Sequence, residues 1–318
     1  MRIRPHSTSA SSESLHLKLP GRPLLALLTM SILWGYGWTA LKLGLIDAPP
    51  FTFTALRMSL SAACLLLMLP LTGRSLLPRR IPELLGLAAV QTSLLFICST
   101  WAVHEGSAGR VAFIVYTMPF FTLLFAWPLL GERVRGLQWL AIALAAAGLI
   151  SIIQPWHRYG NMESNLLALG AGITWAVGAI LVKQLQAREP MDLLSMTAWQ
   201  MVFGSIPLIA IAWYLPEDPI VWSTRFITVL AFVSVVITAF GWMLWMYALN
   251  NLEAGTASLA TLAAPPIAMI SSAMIFDENP NVFEIAGMCL IGVALLVLSV
   301  HAIRGARLTA EITGSMRR

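Results

Sequence analysis

Residues 108–132 read AGRVAFIVYTMPFFTLLFAWPLLGE, and residues 254–278 read AGTASLATLAAPPIAMISSAMIFDE. In both stretches the step from Gly to Pro is ten residues (Gly109 to Pro119, Gly255 to Pro265). The step from Pro to the closing acid is thirteen (Pro119 to Glu132, Pro265 to Glu278). Each is an apolar run opened by small residues, interrupted by proline and closed by an acid. A helix rises about 1.5 Å per residue, so such a run is about as long as a bilayer is thick. The organising unit is a proline-broken membrane helix present twice, and a matched pair of interrupted helices points to the binding site of a transporter built from repeats.

Composition agrees. Of 318 residues, 58% are hydrophobic and only 11% charged, against roughly 25% charged in a soluble domain. Mean hydropathy is +0.77. Lipid must cover such a chain. Ten apolar runs can be counted, at about 23–45, 51–71, 82–103, 108–130, 136–155, 165–184, 192–215, 226–249, 255–276 and 282–303. Residues 1–20 are polar, Ser-rich and basic, with no apolar core of their own; they read as a disordered tail ahead of an uncleaved signal anchor. Cys64, Cys98 and Cys289 sit inside apolar runs and have no metal-ligand spacing. There is no phosphate loop, metal set or dinucleotide fingerprint, so the expectation is no cofactor and no ATP hydrolysis on this chain.

The net charge of +5 is a topology signal. With the N-terminus in the cytoplasm, the inner segments hold fifteen Lys and Arg (Arg2, Arg4, Lys18, Arg22, Arg74, Arg79, Arg80, Arg133, Arg135, Lys183, Arg188, Arg304, Arg307, Arg317, Arg318) and the outer loops three (Arg110, Arg158, Arg225). This bias places both termini in the cytoplasm and explains the basic balance without nucleic acid. The halves echo each other further. Trp34…Lys42 returns as Trp175…Lys183, Ala55-Leu-Arg57-Met58 as Ala198-Trp-Gln200-Met201, Trp101-Ala102 as Tyr247-Ala248, and Gln138-Trp139 as Glu284-Ile285. Spans one to five thus repeat as six to ten. Five is odd, so the second copy enters from the opposite side, as in the inverted repeats of alternating-access carriers. The expected fold is an all-α integral membrane protein of ten helices around a central cavity. The divisions are a tail (1–20), a first repeat (21–155), a second repeat (163–303) and a basic cytoplasmic tail (304–318).

The candidate site residues follow. Pro119 and Pro265, read as mid-helix, lack an N–H and free carbonyls four residues back, near Val115 and Thr261, with Pro266 adding Leu262; the kink either opens a polar cavity or serves packing. Arg57 lies within the second span, where charge is costly and faces protein or water; it binds a substrate carboxylate or ties helices together. Lys42, near the end of the first span, has a site role or snorkels to the surface. Trp34, Tyr36, Trp38, Trp101, Tyr116, Trp175 and Trp242 are candidates for a cavity wall facing an amphipathic solute, with core packing as the alternative for each; Trp245 and Tyr247 crowd the same eighth span. Trp156, Trp213 and Trp222 suit the membrane interface. Glu132 and Glu278 either cap the next helix, pair with Arg133 or Arg135, or couple protons. Gly35, Gly37, Gly170, Gly172, Gly178, Gly287 and Gly292 let helices approach closely. His104 and Ser107, three residues apart beside glycines, raise a second function class, an intramembrane hydrolase, although a turn explains them.

Trp34-Gly35…Lys42, Ala55-Leu-Arg57, Ser107-Ala-Gly109, Pro119, Leu130-Gly-Glu-Arg133 and the echo Ala254-Gly255…Pro265…Asp277-Glu278 resemble the EamA-type carriers of the drug/metabolite transporter superfamily. The resemblance covers about residues 23–303. It implies a ten-helix inner (cell) membrane carrier, whose cavity is walled mainly by the first, third, fourth, sixth, eighth and ninth spans. It further implies transport, often export, of amino acids or similar small metabolites. The partners expected are a small-molecule substrate and membrane lipid, with the protein a monomer or homodimer. Asp277 stands where the family usually has Gly, and Gln200 where it has Arg. A lipid-linked solute flippase is the variant reading, and it requires a cavity open sideways to lipid.

Overall fold

The computed structural model describes residues 21–131, 133–134, 136–155, 161–244 and 263–316, with backbone alone for 21–24, 27, 130 and 301–316. Among these residues the chain is helical and has no strand. The helices are α1 (Gly21–Gly44), α2 (Pro50–Leu71), α3 (Ile81–Glu105), α4 (Ala108–Val115), α5 (Met118–Leu130), α6 (Leu137–Ile153), α7 (Met162–Arg188), α8 (Leu193–Tyr214), α9 (Thr224–Leu244), α10 (Ala264–Phe276) and α11 (Val282–Met316). Seven stretches of the described residues are long and apolar enough to cross a membrane. They are α2, α3, α4 taken with α5, α7, α8, α9 and the Val282–Val300 part of α11.

Helix starts follow local chemistry. Asn161, Asp192 and Ser223 each accept a hydrogen bond from a first-turn backbone N–H, at Ser164, Ser195 and Phe226, which satisfies donors that lack an intrahelical partner. Gly131 ends α5 at φ 71°, the left-handed cap that glycine adopts without strain.

The prolines do something other than kink. α4 stops at Val115, Tyr116 and Thr117 form a turn, and Pro119 sits in the first turn of α5. There its missing N–H has no intrahelical carbonyl to lose. Thr117 donates from its N (3.1 Å) and from its hydroxyl to the Ile114 carbonyl, and Phe120 N reaches Thr117 O at 3.0 Å. Pro265 likewise sits in the first turn of α10. The expected mid-helix position is therefore corrected: both prolines begin new helices. Thr261 and Leu262 lie outside the described residues. So do Ala254-Gly255, Trp245, Tyr247, Glu132, Arg135, Trp156, Arg158, the N-terminal tail and Arg317-Arg318. α11 runs on to Met316 through helix-favouring Arg, Ala and Glu, so the stretch expected as a basic tail from 304 is helical as far as Met316.

α2 packs on α8, α3 on α7, α1 on α10, α5 on α7 and α6 on α11. Gly148 and Gly287 set the α6–α11 approach. A Cβ on either would meet the other's carbonyl oxygen at 2.8 or 2.5 Å, which is why small residues favour helix contacts in lipid. Gly292 meets nothing within 4 Å, so the contact expected of it is absent among the described residues. Two further contacts share one form. Arg57 Nε on α2 donates to Thr238 Oγ1 on α9 at 3.1 Å, and Gln200 Nε2 on α8 donates to Thr92 Oγ1 on α3 at 3.2 Å. Both threonines stand in π-helical stretches, Phe232–Phe240 and Ala89–Leu94.

Candidate functional site

The π turn in α9 re-aims one side chain. Thr238 donates its hydroxyl to Val233 O, five residues back, at 2.9 Å, and accepts from Arg57. The widened turn thereby presents Thr238 and Ile237 to the bundle interior, as π turns at functional sites often do. They face a cavity of about 90 Å³. Its walls come from α1 (Trp34, Gly37, Trp38, Leu41), α2 (Arg57), α3 (Leu95, Phe96, Ser99), the α4–α5 turn (Tyr116), α7 (Trp175) and α9 (Ile237, Thr238, Trp242). The described part of the ninth span, expected as a wall, contributes none of these, and the second span, not named among the expected walls, supplies Arg57.

Five aromatic rings make a continuous lining. Trp38 meets Tyr116 at 6.5 Å between centroids and Tyr116 meets Trp175 at 5.7 Å; Trp175 meets Trp34 at 6.2 Å and Trp34 meets Trp242 at 5.8 Å. Interplanar angles of 60–68° match edge-to-face packing, which places ring edges against neighbouring faces. Trp34 Nε1 donates to Ile237 O at 3.2 Å. Gly241 leaves room for that indole, since a Cβ there would lie 2.5 Å from Trp34 Nε1. Arg57 is 8% exposed, and its guanidinium stands 5.0 Å from the Phe96 ring centroid.

The cavity is thus lined by Trp34, Trp38, Tyr116, Trp175, Trp242 and Arg57 from among the residues singled out in the sequence. Tyr36 packs on Phe232 at 6.1 Å and Trp101 on Phe51 at 5.2 Å, both away from the lining. Pro119 stands at the α4–α5 break and Pro265 in the first turn of α10; neither is among the described lining residues. Lys42 neither lines the cavity nor snorkels freely. Its ammonium pairs with Glu278 and donates to Gly106 O at 2.8 Å. Glu278 also accepts from Ser107 (2.8 Å) and from Ser272. It pairs with Lys42 rather than with the arginines expected for it, because the α10–α11 turn is folded against the end of α1.

This cluster borders a second cavity of about 190 Å³ lined also by Arg110 and Glu284, which pair at 3.0 Å. Ser107 and His104 are not brought together. Ser107 Oγ serves Glu278, while His104 Nε2 lies 3.8 Å from Glu105. No group of three metal-ligating side chains occurs among the described residues.

The sequence model of the EamA-like transporter family matches residues 21–154 and again 162–300. The chain belongs to the EamA-like transporter family. It is a membrane transporter by that membership. Among EamA relatives, it is 28% identical over 285 residues to the uncharacterized transporter YvbV of Bacillus subtilis (strain 168), covering 88% of this chain and 92% of that one. It is 25% identical over 284 residues to a probable amino-acid metabolite efflux pump of Escherichia coli (strain K12), covering 86% and 93%. A solved protein structure superposes with a TM-score of 0.63 at 17% identity, over 89% of this chain and 98% of its own, and shares the fold.

Sequence reasoning missed Thr238, Ser99 and Phe96 as wall residues. A single Thr or Ser in an apolar run has no periodic signature, and the π register that turns Thr238 inward is not written in hydropathy. The nearest signal was Arg57 itself, since a charge in that position demands polar neighbours.

Proposed function

We propose that this protein is a secondary carrier that exports a small metabolite, such as an amino acid, by alternating access in the inner (cell) membrane. Two five-span halves of opposite orientation, about 21–155 and 163–303, enclose the cavity, and both termini face the cytoplasm. The observation that carries the reading is the cavity itself. It lies between helices of the bundle, sets the Arg57 cation among aromatic rings, and takes its described walls from both segments that match the family. The paired Arg57–Thr238 and Gln200–Thr92 contacts, each on a π turn, support the two-half plan. The efflux pump of E. coli among the relatives supports export and the amino-acid class.

Flux of labelled amino acids and related metabolites into and out of vesicles containing the purified protein tests the proposal. Movement above protein-free vesicles, slowed by Trp175→Ala or Trp242→Ala, is expected. Inactivity toward every solute under every imposed ion gradient would overturn it.

A further inference from the structure

We infer that the central cavity takes an anion, a carboxylate-bearing solute with a flat apolar body, and that the Arg57 guanidinium is the carboxylate's partner. This deepens the carrier reading and rests on it for the word substrate, though not for the binding itself.

The argument begins with what Arg57 lacks. A guanidinium has five N–H donors in a planar fork. Among the described residues Nε alone is used, on Thr238 at 3.1 Å. The terminal nitrogens make no hydrogen bond to a described residue and are not sealed from the cavity, and Arg57 forms no ion pair with any described acid. It is nevertheless only 8% exposed. A tie between α2 and α9 accounts for Nε, and the guanidinium lies over the Phe96 ring, 5.0 Å from its centroid; neither occupies the in-plane donors of the terminal nitrogens.

Two other partly buried cations among the described residues are treated differently: Lys42 has Glu278, and Arg110 has Glu284. Unpaired charge away from water is costly, so such a group is paired or serves a ligand. The fork opens onto the cavity, where none of the described lining residues is acidic. Its geometry matches a carboxylate through two parallel N–H···O bonds. Ser99 and Thr238 add hydroxyls to the same cavity lining. The rest of the described lining is mainly Trp34, Trp38, Tyr116, Trp175 and Trp242, which suits a planar or aliphatic body and contains no carboxylate for an ammonium group. An α-amino group, where a solute has one, is left with ring faces.

The test is melting of the purified full-length protein, read by tryptophan fluorescence, with acetate, butyrate, benzoate, phenylacetate and L-phenylalanine. Phenylacetamide and phenethylamine serve as the neutral and cationic counterparts of phenylacetate. The ring-bearing acids should raise the melting temperature in a dose-dependent way. Phenylacetate should bind at least about tenfold more tightly than its amide, the factor expected for a hydrogen bond to a charged group. Arg57→Lys, which keeps the charge and loses the fork, should weaken acid binding about tenfold or more, and Arg57→Met should abolish it. Equal stabilisation by the amide or the amine, survival of acid binding in Arg57→Met, or no stabilisation by any acid would each overturn the inference. Should Arg57→Met fail to fold, the wild-type comparison and Arg57→Lys decide. Flux assays separate the two readings. A neutral or cationic solute carried equally well by Arg57→Lys sinks the anion inference and leaves the carrier. Acid binding without flux of any solute sinks the carrier and leaves the site.

Discussion

Replacing Lys42 by Met keeps the stem and removes the ammonium that ties the end of α1 to the α10–α11 turn. Lys42 and Glu278 are 25% and 15% exposed, between a surface pair, worth about 0–1 kcal/mol, and a buried one, whose disruption costs about 3–5 kcal/mol. The change also removes the bond to Gly106 O. It leaves Glu278 with the hydroxyls of Ser107 and Ser272, which soften the loss of the cation. The expected cost is about 2 kcal/mol. At about 2 °C per kcal/mol for a chain of this size, the melting temperature in detergent should fall by about 4 °C.

Lys42→Met, Glu278→Gln and the double variant complete a cycle, with an expected coupling of about 1–2 kcal/mol. A coupling under about 0.3 kcal/mol would refute the reasoning, because the two groups would then act independently. The consequence for transport is direct. Every 1.4 kcal/mol is a tenfold change in an equilibrium, so any opening at this end of the bundle should become more than tenfold easier in Lys42→Met.

Further outcomes are expected. Gly35→Ala places a Cβ 2.7 Å from Ile267 Cβ and 2.8 Å from the Ala264 carbonyl; the yield of folded protein should drop sharply, whereas Gly86→Ala, with nothing within 4 Å, should be neutral or stabilise by about 0.5–1 kcal/mol. Normal yield of Gly35→Ala would count against the α1–α10 contact. Pro119→Ala and Pro265→Ala should each insert normally and cost no more than about 1 kcal/mol of stability, yet slow flux, because without the proline the α4–α5 break can close and α10 is no longer obliged to start where it does; wild-type flux in both would remove these helix starts from the mechanism. Asp47, in the α1–α2 turn, is held below the usual carboxylate range, first by its hydrogen bonds with Arg225, then by Ser223, with desolvation opposing. A depressed acid stabilises above its unfolded value, about 3.9, and loses that contribution as pH falls through the lower folded one. The gap in melting temperature between wild type and Asp47→Asn should therefore hold from pH 7 to about 5 and close only below about 4; a gap that closes by pH 6 would contradict the pairing.

The helices that form the bundle were legible because the cost of exposing backbone and charge to lipid acts on each segment by itself. The apolar runs beginning near 51, 82, 192 and 282 became helices within a residue of those starts. The lone charge of Arg57 was visible for the same reason, and so were the deep aromatics, since Trp34, Trp175 and Trp242 stand too far from span ends to be interface anchors. The role of the prolines was read one step wrong. A proline disfavours the interior of a helix, and the sequence does not say whether the chain bends around it or stops and starts again. In the fold, Thr117 closes the first helix and Pro119 opens the next.

What the sequence alone determined, then, is a lipid-covered helical chain, duplicated in its landmarks, with a cation and rings at mid-span. Only the tertiary structure decided which of these meet. Lys42 finds Glu278 across 236 positions and Arg57 finds Thr238 across 181, while Tyr36 and Trp101 turn away from the cavity that Trp34 and Trp38 line. The division has a physical cause. Burial in lipid is a property of a segment and is written in its composition. The partner of a polar group depends on helix crossings and on the register of a π turn, and these are set by packing among segments far apart in the chain.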